Sequence, residues 1–251
     1  MSVLTQFIFR LSFGLALGMA LSSPRQVTSG YYRVHLYVLL GLNVLATMAA
    51  LGAGDPLAIA LPLAAAILSY VGSVCWLYEK PRAGRVSLAM VAAVTLLGAW
   101  SATDWRPATS PATTLLTWFD PLTSGLVLGL TIAAMFLGHW YLNTPTMAIG
   151  PLEKLVVLMG AAIGVRAVVE GAGLALNLWR SGVPGTEQLL FVALRWLSGI
   201  FGAMALTVMA WKTLKIPNTQ SATGILYVAV IATFLGELTS LLLTAQSENP
   251  L

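Results

Sequence analysis

Charge is the scarcest thing in this chain. Only 9% of its 251 residues are Asp, Glu, Lys or Arg, while 58% are hydrophobic. A soluble domain of this length needs far more charge to cover its surface, so a water-exposed globular fold is excluded. Cysteine is nearly missing too. The single Cys75, inside an apolar run, can form no internal disulfide, no iron–sulfur site and no Cys-rich zinc site, and reads as a small buried hydrophobe. No phosphate-binding loop, nucleophile elbow or dinucleotide fingerprint occurs, and no soluble second domain or 20–50-residue repeat stands out. Histidine is limited to His35 and His139.

What is present is long apolar sequence, with a mean hydropathy of +0.84. The expected fold is all-α: one transmembrane domain over residues 1–251, a polytopic bundle of eight helices. Hydropathy places these helices at about 3–21, 33–53, 56–78, 84–103, 122–142, 151–178, 187–212 and 222–245. Pro and Gly punctuate the joins, as in "GAGDP", "EKPRAG" and "SGVPG". The first segment has small residues at a plausible cleavage point, "GMALSS". No Lys or Arg precedes its apolar stretch and Arg10 sits within it, so it reads as a retained helix.

The net charge of +4 reports topology in such a chain, and no nucleic-acid partner is expected. Arg25, Arg33, Lys80, Arg82, Arg85, Lys154, Lys212 and Lys215 fall in the odd-numbered loops or beside them, against Arg106 and Arg180 on the other side. Odd loops are therefore expected in the cytoplasm and both termini outside, in the periplasm, for a multi-pass protein of the inner (cytoplasmic) membrane. The longest loop, 103–121, is expected outside, with Trp105, Trp118 and Phe119 at the interface or against a partner.

Five charged side chains fall inside the expected helices: Arg10, Arg166, Glu170, Arg195 and Glu237. An unpaired charge at the middle of a membrane helix costs about 2.5–3.5 kcal/mol on insertion scales, so each needs a partner or water. At ~1.5 Å per residue, Arg10, Glu170, Arg195 and Glu237 reach one layer on the order of 10–13 Å below the outer surface. Arg166 stands one turn deeper on the Glu170 face. Two readings follow. Arg166–Glu170 and Arg195–Glu237 are clamps that hold the bundle together, or the five residues form a polar pocket that binds a quinone head group or passes protons. In the second, a glutamate takes the proton of a bound hydroquinone and the arginines restrain its charge.

The histidines pose a separate question. His35 opens helix 2 and His139 lies near the end of helix 5, both near the cytoplasmic face, so together they are candidates to hold one haem b axially. Their neighbours also explain them as interfacial residues: Tyr31, Tyr32, Arg33 and Tyr37 around one, Trp140, Tyr141 and Asn143 around the other. Two histidines with no carboxylate nearby give no basis for zinc or copper, and no metal site is expected.

The order of features resembles the membrane anchors of the polysulfide reductase and dimethyl sulfoxide reductase type (NrfD-like proteins). The likeness runs through "FRLSFGLALGMALS", "YVLLGLNVLATMAALGAGDP", "TWFDPLTSGLVLGLTIAAMFLG", "LRWLSGIFGAMAL" and "IATFLGELTSLLL". Gly236-Glu237 is similar to a Gly–Glu pair in the last helix of those anchors; where a basic residue often follows one turn later, this chain has Leu241. The resemblance implies an eight-helix, haem-free subunit with both termini outside that binds quinol or quinone transiently. It implies no catalytic residue and no covalent cofactor of its own, with electrons exchanged with iron–sulfur or haem cofactors on a partner subunit of a respiratory complex. The alternatives are a haem b anchor, a proton-coupled transporter and a structural accessory subunit.

Overall fold

The computed structural model describes residues 2–53, 55–103, 105, 110–144, 146–182, 184–216 and 218–246, with backbone only at 53, 181 and 246. Among the described residues there is no strand. Eight helices are long and apolar enough to cross a membrane: α1 Val3–Leu21, α2 Ser29–Ala50, α3 Pro56–Leu77, α4 Pro81–Ser101, α5 Pro111–Asn143, α6 Gly150–Ser181, α7 Thr186–Leu214 and α8 Thr219–Gln246. Their starts carry the chemistry that frees a helix from its loop. Ser2, Asp55, Ser110 and Asn218 accept first-turn N–H groups, at 3.2, 3.0, 3.3 and 3.0 Å. Proline occupies the first turn of α3, α4, α5 and α6, where its missing N–H costs nothing.

Consecutive helices run antiparallel, so the start of α1 and the end of α8 emerge on one face, here the terminal face. Gln6 near the start of α1 accordingly donates to Ala102 O just past α4, and Lys154 in the first turn of α6 donates to Leu21 O at the end of α1. Helix contacts divide the bundle into two closed rings of four: α1–α2–α3–α4 and α5–α6–α7–α8. The rings join chiefly along α1 and α5. Glycine makes that seam possible. A Cβ on Gly14 would run into Gly125 O, and one on Gly129 into the Gly14 backbone, so the two helices meet backbone to backbone.

Three helices differ from the expectation in ways that matter. The first is α5, which begins at Pro111 rather than near 122. The "FDP" triplet imitates a capped helix start, but Ser110 and Pro111 are the true cap and first residue, and Pro121 lies inside the helix. Much of the expected 103–121 loop is thus helical, while Arg106 lies outside the described residues. The second is α7, which winds as an α-helix to Leu194, as a π-helix over Arg195–Gly202 and as an α-helix again to Leu214. The first turn of α2 likewise begins four residues early, at Ser29, and takes in Tyr31 and Tyr32.

Candidate functional site: a buried layer of six charges

All five charged residues singled out from sequence converge, and a sixth joins them. Asp120 comes from α5, Arg166 and Glu170 from α6, Arg195 from α7 and Glu237 from α8, so the second ring contributes from each of its helices. Arg10 reaches in across the seam from α1. Counted from the nearer ends at Val3, Pro111, Ser181, Thr186 and Gln246, these residues lie roughly 10–16 Å in from the terminal face, with Arg166 one turn deeper. No side chain of the six is more than 4% exposed.

The bonding is dense. Arg10 Nη2 donates to Asp120 Oδ2 at 2.6 Å, and Arg166 Nη1 to Asp120 Oδ1 at 2.7 Å. Arg166 Nε lies 2.8 Å from Glu170 Oε1, the i,i+4 contact expected from their shared helix face, and its Nη2 donates to Glu237 Oε2 at 3.0 Å. Arg195 donates through Nε to Glu170 Oε1 at 3.1 Å and through Nη2 to Glu237 Oε1 at 2.8 Å, with a further Nη2 contact to Glu170 Oε1. Ser240 Oγ bridges Arg166 Nη2 and Glu170 Oε1 at 3.2 and 3.1 Å, and Thr123 Oγ1 receives Arg166 Nη1 at 3.2 Å. Three cations and three anions therefore close on one another with no net charge. That arrangement repays the desolvation that any one of them would suffer alone.

The two expected ion pairs, Arg166–Glu170 and Arg195–Glu237, are both formed. They belong to one network rather than to two clamps, because Arg195 also holds Glu170 and Arg166 also holds Glu237. Arg10 touches neither glutamate in these contacts and is tied in through Asp120. Asp120 was missed because Pro121 made it look like a loop residue. Charge arithmetic was the available signal: three arginines and two glutamates inside the helices leave one cation without an anion.

Some hydrogen-bonding capacity remains. Glu170 Oε2, Arg10 Nε and Arg195 Nη1 are buried without a hydrogen-bond partner among the described residues. The Arg195 guanidinium lies against glycine backbone. A Cβ on Gly199 would collide with Nη1 and come 2.7 Å from Gly236 Cα, while one on Gly236 would come 2.9 Å from Nη1. The π-helical turn starts at Arg195 itself, and such turns recur at functional sites. Beside the layer, Val192 and Leu243 form a small apolar cluster with Leu174 and Trp196, separate from the main core. Leu174 is one turn beyond Glu170 on α6, and Trp196 follows Arg195. Neither of the two described cavities is lined by a residue of the layer.

The histidines have different surroundings. His35 is buried: its Nδ1 donates to Tyr31 O at 2.7 Å, and its ring stacks on Phe136 of α5 with centroids 4.4 Å apart. His139 is exposed, and its Nδ1 shares a hydrogen bond of 3.1 Å with the Tyr227 hydroxyl of α8. Among the described residues no group of three or more His, Cys, Asp or Glu side chains is arranged to hold a metal ion. Cys75 is partly buried in α3.

No protein family, no curated protein and no solved structure matches this chain.

Proposed function

We propose that this chain is an integral membrane subunit of a quinone-linked redox complex, in which the buried charged layer takes up protons when a quinol is oxidised. Quinol oxidation releases two electrons and two protons. The electrons pass to iron–sulfur or haem cofactors on partner subunits, and the protons need an acceptor within the membrane. The observation that carries the reading is Glu170 Oε2, a buried carboxylate oxygen with free lone pairs at the edge of a network whose other anions use both oxygens. Protonation there leaves every hydrogen bond of Glu170 Oε1 in place. The apolar cluster of Leu174, Val192, Trp196 and Leu243, one turn along α6 from Glu170 and next to Arg195 on α7, is the apolar surface that the proposal assigns to the quinone ring. Most of the described chain lies in eight helices, and the proposal assigns the redox centres to other subunits.

The orientation proposed with this reading puts the terminal face outside. Eight basic and two acidic residues, Glu79 and Glu153, belong to the opposite face. Among the described residues, Arg180 with Asp55 and Glu187 belong to the terminal face. The described residues thus divide into six net positive charges against one net negative, with none from the layer.

Glu170→Gln tests the function cleanly. Glutamine keeps an acceptor at Oε1 and can turn its amide into the Oε2 position, which receives no donor. In the native complex, quinol-linked turnover is expected to fall about a hundredfold, the lower end of what a positioned acid–base group contributes, while the subunits still co-isolate. Unchanged turnover would overturn the proposal and favour the structural accessory reading, which the complete mutual burial of the six charges also supports.

A further inference from the structure

We infer that the face opposite the termini carries a binding site for the phosphate of an anionic phospholipid, built at the first turn of α4. Two cavities open there. One, of about 510 Å³, lies between the α1–α2 connection and the α3–α4 turn and is lined by Arg25, Thr28, Ser29, Trp76, Glu79 and Pro81, among others. The second, of about 400 Å³, is lined by Arg82, Arg85, Val86, Ala89 and Ala20. Pro81 and Arg82 are consecutive residues, so each cavity has a wall in the first turn of α4.

The walls of these cavities suit an anion. Arg25, Arg82 and Arg85 are exposed, and none forms a hydrogen bond or ion pair with another described residue. With Glu79 as the one lining acid, the two cavities carry two net positive charges. The first turns of α2 and α4 both point their N–H groups to this face, and neither has a side-chain cap. A separate observation is Trp76. It is 2% exposed, stacks on Tyr32 at 4.0 Å, and sits in the wall of the larger cavity against Gly84 with its Nε1–H lacking a partner. A buried indole N–H is ordinarily hydrogen-bonded, but this one has almost no accessible surface, so the arginines are the groups that a phosphate oxygen reaches in the cavities.

The location selects a lipid over a soluble phosphate. The site lies at helix ends, where head groups sit, and Val86 and Ala89 line the smaller cavity on the exposed side of α4, a surface for the first methylenes of an acyl chain. Free phosphate would use the arginines and nothing of that apolar wall.

The test is lipid retention by the purified chain, read by native mass spectrometry after exchange into nanodiscs of phosphatidylglycerol or of phosphatidylcholine. The expected result is one retained phosphatidylglycerol per chain and no retained phosphatidylcholine. Each of Arg25→Gln, Arg82→Gln and Arg85→Gln is expected to weaken retention about fivefold and the triple variant on the order of a hundredfold. Lys212→Gln, on the same face away from the cavities, should leave retention unchanged. Because none of the three arginines forms a hydrogen bond or ion pair with another described residue, the single variants are expected to fold even if the triple variant does not. Equal retention of both lipids, or single variants indistinguishable from the parent, would overturn the inference. Displacement of the retained lipid by millimolar inorganic phosphate would assign the site to soluble phosphate and overturn the lipid source.

Discussion

Replacing Asp120 by asparagine probes the charged layer where it has least slack. Both carboxylate oxygens of Asp120 accept an arginine: Oδ2 from Arg10 at 2.6 Å and Oδ1 from Arg166 at 2.7 Å. An amide has one oxygen, so whichever way it turns, an NH2 group faces a guanidinium N–H and one bond becomes a repulsive contact. Arg166 retains Glu170 and Glu237, whereas Arg10 has no other hydrogen-bond partner among the described residues and its Nε is already unpaired there. Breaking a buried pair so that one charge is left uncompensated costs about 3–5 kcal/mol. Glu170→Gln also removes one negative charge but forces no such contact. Its bonds weaken from charged to neutral strength, on the order of 1–2 kcal/mol in all. The assay is reversible unfolding in mixed micelles, followed by the fluorescence of the chain's eight tryptophans. Asp120→Asn should lose at least twice the stability lost by Glu170→Gln. Removing Arg10 as well, in Arg10→Gln/Asp120→Asn, should cost less than the two single changes added together. A loss for Asp120→Asn equal to or below that for Glu170→Gln would refute the reasoning.

Other outcomes follow from the same geometry. Gly129→Ala should destabilise the bundle by about 1–3 kcal/mol, because the new methyl meets the Gly14 backbone; Gly41→Ala, which meets nothing within 4 Å, should be neutral or stabilising in the same unfolding assay. Gly199→Ala should displace the Arg195 guanidinium from the Gly199–Gly236 contact and reduce quinol-linked turnover together with stability, measured in the native complex. A cysteine at Glu187 in a Cys75→Ala background should react with a membrane-impermeant thiol reagent added to intact cells, and one at Lys212 should not; the reverse pattern would invert the proposed orientation.

Sequence made the helices legible because a membrane imposes a length and a polarity that hydropathy reads directly. The expected α1 coincides with the observed one, and the starts of α3, α6 and α7 lie within a residue of expectation. The charged layer was legible for a related reason: a charge inside a span is rare enough to mark itself. Asp120 escaped because local cues conflict. An aspartate before a proline is a good helix start, and only the tertiary demand of Arg10 and Arg166 for an anion shows that the helix continues through it. The π-helical turn at Arg195 and the division into two rings of four were equally hidden. The π-helical turn lies where Gly199 packs against Gly236, and the two rings join where Gly14 packs against Gly125 and Gly129, contacts between residues far apart in sequence. The small-residue run "GLALG" of α1 permits close approach of another helix without naming which one.

Proton exchange between quinol and the layer, proposed here to run through Glu170, is read by redox-induced infrared difference spectroscopy on the native complex. Carboxyl bands are expected to change as the quinone pool is reduced and to vanish in Glu170→Gln while the complex stays assembled. Identical carboxyl bands in the parent and the variant would contradict it.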